Sequence, residues 1–260
     1  AGDVFAVYRL ARTRHVATKS DERATMTKIS VPRRILVINP NTNSTITSLM
    51  RKVAEELAVE GIVTSVINPD SGPISIESDN DRRMVEPQVI EIVKKAEDSG
   101  YNGIVIACFD DIGLEEARRI ASVPLVDAFR ASISMGSHLA SRFTIVTTYD
   151  GAVAPITALV NRLYPSVQYT VRAAGIGVAE AASSGSAHEK LCQTIQNAIE
   201  KDGAEAIVLG SGGLAGKAET LSVQFGIPMV DAVGAAISMC QAMVRLNFFP
   251  IKHSRHFTRV

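Results

Sequence analysis

Excess charge of either sign is missing: Lys and Arg together number 27, and so do Asp and Glu. With no net field, neither nucleic acid nor an anionic membrane surface is drawn to the chain as a whole, and a small-molecule substrate is the better expectation. Cysteine is scarce. The three, at 108, 192 and 240, form no paired framework and no Cys-x-x-Cys, which argues for free thiols in a reducing compartment and against structural zinc. No apolar run approaches the roughly 20 residues that span a bilayer. Residues 1–30 lack the continuous apolar stretch of a secretory signal, so a cytoplasmic protein is expected. Tryptophan is absent and aromatics reach only 5%, yet apolar residues at 46% and charged residues at 21% are ordinary for a globular enzyme and exclude the disordered and fibrous classes. The histidines offer no metal-ligand spacing: His15, His253 and His256 stand in the tails, His138 on a helix and His188 near a helix start.

What is present reads as an α/β protein. Residues 1–30, basic and polar with scattered Arg and Thr, are taken as an extension outside the fold. The run RILVI (34–38) ends in the turn-rich NPNTNST, the pattern of a buried parallel strand feeding a helix at 45–57 with Ser44 or Thr42 as N-cap. A strand at 63–68, a long irregular loop at 69–81, a helix at 86–99 and a strand at 103–108 follow, then an acidic-fronted helix from DDIGLEEARRIA. The same grammar resumes with FTIVTT (143–148), a helix at 153–163, a strand at 168–172, a helix at 186–201 and AIVLGS at 206–211.

An internal repeat is the most informative feature. GYNGIVIACFDDIGLEEARRIASVPLVDAFRASISM (100–135) aligns with GAEAIVLGSGGLAGKAETLSVQFGIPMVDAVGAAISM (203–239), with one extra residue in the second copy. Cys108 then falls on Ser211, Pro124 on Pro228 and Asp127 on Asp231. Two pseudo-symmetric lobes are expected, each a parallel sheet flanked by helices, with the active site in the cleft between them: 33–135 plus the helix at 233–247, and 136–232.

Ligands of open parallel sheets bind beyond the carboxyl ends of the strands, so NPNTN (39–43), CFDD (108–111), TTYD (147–150) and GSGG (210–213) should converge. Cys108 stands where a strand stops and a helix is expected to begin, a place where backbone N–H groups and the helix dipole lower a thiol pKa, and it is the candidate thiolate. Cys192 and Cys240, among apolar helix neighbours, read as core packing. GSGGLAG departs from a Walker A loop, because Ala218 follows Lys217 and Ser211 replaces the first glycine. Asp110 and Asp111 suit a helix start, and Asp127 and Asp231 suit caps. For Glu77, contact with substrate and ordering of its loop are both open.

INPNT (38–42), PISIES (73–78), IACFDDIGL (106–114), FTIVTT (143–148), IVLGSGGLAG (207–216) and the pair VPLVDA/IPMVDA resemble, in this order, the hydantoin and allantoin racemase branch of the aspartate/glutamate racemase superfamily. The resemblance covers about 33–247 and implies a homo-oligomeric isomerase with no metal or organic cofactor. It also implies inversion at a carbon beside a carbonyl, with one cysteine removing the proton and a second delivering one to the opposite face. Cys108 matches the first, and Ser211 stands at the second, where the branch has LGC. Asn39, Asn41, Ile76, Phe109, Asp110, Thr147, Thr148, Gly212 and Gly213 match positions that would hold the ring and its enolate. A hydroxyl is far too weak an acid to replace a thiol of pKa about 8.5. Three readings therefore stand: a racemase impaired by a cysteine exchanged for serine, a one-thiol decarboxylase, isomerase or ring-opening hydrolase, and a metabolite-binding protein. Free aspartate or glutamate fits less well, since no Arg or Lys stands in the strand-end segments.

Overall fold

A computed structural model of the chain describes residues 32–182 and 185–250. The expectations for 1–30, His15, His253 and His256 lie outside the described residues. The first half runs β1 (Arg33–Ile38), α1 (Ser44–Glu56), β2 (Ile62–Ile67), α2 (Asp79–Asp98), β3 (Gly103–Ile106), α3 (Leu114–Ile120), β4 (Leu125–Asp127) and α4 (Ala128–Leu139). The second runs β5 (Arg142–Thr147), α5 (Val153–Leu163), β6 (Gln168–Ala173), α6 (Val178–Ala181), α7 (Gly185–Asp202), β7 (Ala206–Leu209), α8 (Ala218–Phe225), β8 (Met229–Asp231) and α9 (Ala232–Arg245). All pairings are parallel, and the strand orders β2-β1-β3-β4 and β6-β5-β7-β8 are the same order twice. The repeat seen in the sequence is thus one half of a duplicated topology, and the two-sheet α/β fold is as expected.

Strands β3 and β7 are buried along their whole length because helices cover both sheet faces, which is why GIVI and AIVL read as unbroken apolar runs. Helix α1 is capped by Asn43, whose Oδ1 accepts from the N–H groups of Thr45 and Ile46 at 3.0 and 3.3 Å, in place of the expected Ser44 or Thr42. Helix α2 begins at Asp79, well before the expected 86. Pro87 looks like a helix start, but Ser78 and Asp81 form a capping box that nucleates the helix two turns earlier and leaves Pro87 inside it. Asp127 and Asp231 cap α4 and α9 as anticipated, accepting from the Arg130 N–H and from the Val233 and Gly234 N–H groups.

The two helices that follow β4 and β8 change sides. Helix α4 lies on β5, β7 and β8 of the second sheet, α9 lies on β1, β3 and β4 of the first, and the two pack on each other. Small residues permit the approach. A Cβ on Gly136 of α4 would sit 3.0 Å from Val208 Cγ2, and one on Gly103 of β3 would sit 2.6 Å from Cys240 Sγ and 2.8 Å from Val244 Cγ2. One continuous core, including Phe129, Phe143, Val208, Ile237 and Cys240, results from the exchange. No helix among the described residues is long and apolar enough to cross a membrane.

Gly103→Ala should therefore cost about 1–3 kcal/mol through overpacking. In a Cys240→Ala background the cost should be smaller, because one of the two clashing atoms is gone. Urea melts of the single and double variants measure the coupling; strictly additive losses would show that α9 does not press on β3 there.

Candidate active site

In each sheet the strand order reverses between the first strand and the third, β1 and β3 or β5 and β7, so a crevice opens beyond their carboxyl ends. Both crevices contribute to one cavity of about 70 Å³. A water needs about 10–15 Å³ in this measure, so there is room for a small ring and little more. Pro40 and Asn41 reach it from the end of β1, Ala107 to Asp110 from β3, Thr147 to Tyr149 from β5, and Gly210 to Gly212 from β7.

The turn after β1 is built by its asparagines. Asn39 Nδ2 donates to Asn41 Oδ1 and Thr47 Oγ1 at 3.1 and 3.0 Å, and Asn41 Oδ1 accepts the Asn43 N–H at 2.9 Å. Asn39 is fully buried in this network and is not among the residues that line the cavity, while Asn41 does line it. The turns after β3 and β7 lean on each other. Cβ atoms on Gly210 and Gly212 would lie 2.9 Å from Phe109 Cε1 and 2.9 Å from Met50 Cε, contacts that only glycine permits without displacement. Gly213 lies outside the cavity: its N–H donates to Ser211 Oγ at 3.3 Å, and a Cβ there would sit 2.4 Å from the Val178 carbonyl oxygen.

Cys108 differs from the expectation in its electrostatics. Helix α3 starts at Leu114 behind an αL Gly113, beyond the CFDDIG turn, so Cys108 does not stand at its first turn. Burial instead pushes the Cys108 thiol up to about 12, and the Asp110 carboxylate adds to the rise, while the backbone N–H groups of Asp110 and Phe109 and the Arg82 guanidinium pull it down. Ser211 is buried, and its Oγ accepts from Gly213 N–H and, at 3.4 Å, from Thr148 Oγ1. Thr147 Oγ1 donates to the Gly210 carbonyl at 3.2 Å, fixing the same turn.

Several residues that line the cavity were not anticipated. Ile76 had been expected, and its PISIES loop is held from below by Asp81, whose carboxyl stays under its usual range because the Ser78 hydroxyl and the Glu77 and Ser78 N–H groups donate to it. Glu77 orders the loop and bridges the halves: its Oε1 accepts the Val178 N–H at 3.3 Å and its carbonyl the Tyr149 hydroxyl at 3.4 Å. Tyr149 and Val178 themselves line the cavity, with Ala152, Pro155 and Ile156 as an apolar wall. Arg82 lines it too, so a cation reaches the site although none stands in the strand-end segments. It comes from a helix, not a strand end, and the Ser78–Asp81 capping box was the signal that could have placed it. Asp110 binds Arg82, and Asp111 meets Arg162 at 3.4 Å, so neither serves the start of α3. Cys240 is fully buried as expected, whereas Cys192 is only half-buried, with its Sγ 3.4 Å from His188 Nε2. Among the described residues no cluster of His, Cys, Asp and Glu could hold a metal ion.

Residues 35–240 match the family model for Asp/Glu/hydantoin racemases, and the chain belongs to that family. It is 34% identical over 218 residues to the hydantoin racemase of Paenarthrobacter aurescens, covering 83% of this chain and 92% of the relative. Among solved structures it is similar to the allantoin racemase from Klebsiella pneumoniae, with TM-score 0.82, 33% identity, and coverage of 85% of this chain and 91% of that one. The allantoin racemase from Pseudomonas fluorescens gives TM-score 0.79 at 31% identity over 85% and 94% of the two chains.

The electrostatics give a signed expectation. In a Cys192→Ala, Cys240→Ala background, thiolate absorbance should show Cys108 titrating far above its ordinary value of 9.0, and Asp110→Asn should lower the inflection by removing a charge that raises it. The folded chain then holds a proton that the unfolded chain releases, so this contribution to stability is whole below about pH 9 and is lost as pH rises toward 12. An inflection near neutrality would contradict this account of the site.

Proposed function

We propose that the cavity moves a proton at C5 of a hydantoin-type ring, 5-substituted hydantoin or allantoin, without a cofactor. One observation carries this reading: Cys108 and Ser211 occupy equivalent strand-end positions of the two halves and line the same small cavity. A single base returns its proton to the face it came from, so inversion needs two groups on opposite faces. Cys108 serves one face. Its thiolate form takes the C5 proton, and the thiol so formed can return a proton only to that same face. Ser211 meets the other face, where a hydroxyl is too weak an acid to match a thiol of pKa about 8.5. Asn41 and the backbone of the Phe109 and Gly212 turns hold the ring carbonyls, where developing enolate charge is stabilised by fixed donors.

A second reading is favoured by the raised pKa of Cys108. A lone thiol beside an apolar wall suits protonation of a carbanion on one face, as a one-thiol decarboxylase would require. The two readings part on what Ser211→Cys does. The balanced charge supports a small molecule as the ligand, and we propose a homo-oligomer, which the exposed Leu246, Phe248 and Phe249 after α9 support.

Optical rotation and C5 deuterium exchange of allantoin and 5-substituted hydantoins should be followed with the chain, Ser211→Cys and Cys108→Ala. The racemase reading predicts slow or absent racemisation by the chain, a gain of about two orders of magnitude or more in Ser211→Cys, and no exchange in Cys108→Ala. Exchange without inversion in both Ser211 forms would favour the one-thiol reading. No proton movement at any ureide would defeat the proposal.

A further inference from the structure

One part of the cavity wall is a charged pair beside Cys108. Arg82 of α2 donates from Nε to Asp110 Oδ2 at 2.5 Å, and both side chains face the cavity. Each is fixed by a second partner: Arg82 Nη1 donates outward to Asp79 Oδ1 at 2.5 Å, and Asp110 Oδ1 accepts the Asp111 N–H at 2.9 Å. The side chains are 21% and 29% exposed, so the pair is largely withdrawn from water; Nε and Nη1 of Arg82 are engaged, and a guanidinium has further N–H donors, as a carboxylate has further lone pairs, with which to meet a ligand in the cavity both residues line.

The chemistry of such a pair selects its ligand. A carboxylate arm would meet Asp110 and would have to share a guanidinium already neutralised by two aspartates. An alkyl arm would strip the remaining water from both charges and return no hydrogen bond. A planar neutral group with a carbonyl beside an N–H satisfies both, its oxygen taking a proton from Arg82 and its N–H donating to Asp110.

We propose that Arg82 and Asp110 form a specificity subsite for a ureido or carbamoyl arm at C5 of the ring, so that 5-ureidohydantoin, which is allantoin, is favoured over 5-alkyl and 5-carboxyalkyl hydantoins. The inference rests on the ureide reading of the cavity. It makes Arg82 a residue that sorts substrates by meeting the C5 arm, in addition to its electrostatic influence on Cys108.

Isothermal titration of the full chain with allantoin, 5-propylhydantoin and hydantoin-5-acetic acid tests it without requiring turnover. Allantoin should bind about tenfold or more tightly than either analogue, as expected when a site built on charged hydrogen-bonding groups is left unpaired. Arg82→Met should erase that preference while changing 5-propylhydantoin binding less than about threefold, and Asp110→Asn should tighten hydantoin-5-acetic acid by removing the repelling charge. Circular dichroism melts check each fold. If Arg82→Met does not fold, Arg82→Lys, which keeps the charge and loses the planar fork, should also weaken allantoin selectively. Equal binding of all three ligands, or a preference that survives Arg82→Met, overturns the subsite alone. Failure of every hydantoin to bind overturns the ureide reading and the subsite with it.

Discussion

The structure depends on the exchange of α4 and α9. Each follows the last strand of one sheet and lies on the other sheet, and their contact forms the centre of a shared core. Neither half could bury its own sheet face without the helix supplied by its partner, so the halves are held in one orientation by hydrophobic burial. That orientation brings the carboxyl ends of β1, β3, β5 and β7 around one cavity. Close contacts at glycine complete the fit: Gly103 under α9, Gly136 on the second sheet, and Gly210 against Phe109.

Inside that frame, water is scarce and charge is rationed. Desolvation is the largest influence on Cys108, and the nearest carboxylate, Asp110, acts in the same direction. Arg82 offsets part of this while neutralising Asp110. The raised pKa of Cys108 thus has its cause in burial and a neighbouring carboxylate, with Arg82 as the counterweight. Ser211 fits its position through ordinary cap hydrogen bonds to Gly213 and Thr148, and the fold accommodates it without leaving a polar atom unpaired.

Much of the architecture was legible because a parallel sheet buried on both faces writes itself as short apolar runs ending in turns, and because the chain writes the pattern twice. Cys108 and Ser211 could be paired from the repeat alone. Element starts were less legible where a capping box overrode a proline, as at Ser78, or where an αL glycine delayed a helix, as at Gly113. Those two displacements bear directly on the site: the early start of α2 places Arg82 on the cavity, and the late start of α3 leaves Cys108 outside its first turn. The structural role of Asn39, the commitment of the Gly213 N–H and the bridging by Glu77 depend on contacts distant in sequence or on turn geometry, which no local pattern of residues reveals.

The central claim is geometric: the reacting carbon lies between Cys108 and Ser211. A crystal structure of the chain with a 5-substituted hydantoin bound tests it most directly. The account predicts C5 between Cys108 Sγ and Ser211 Oγ, one on each face of the ring and each within about 3.5 Å. A ring bound with both groups on one face, or with C5 turned away from Cys108, would contradict it.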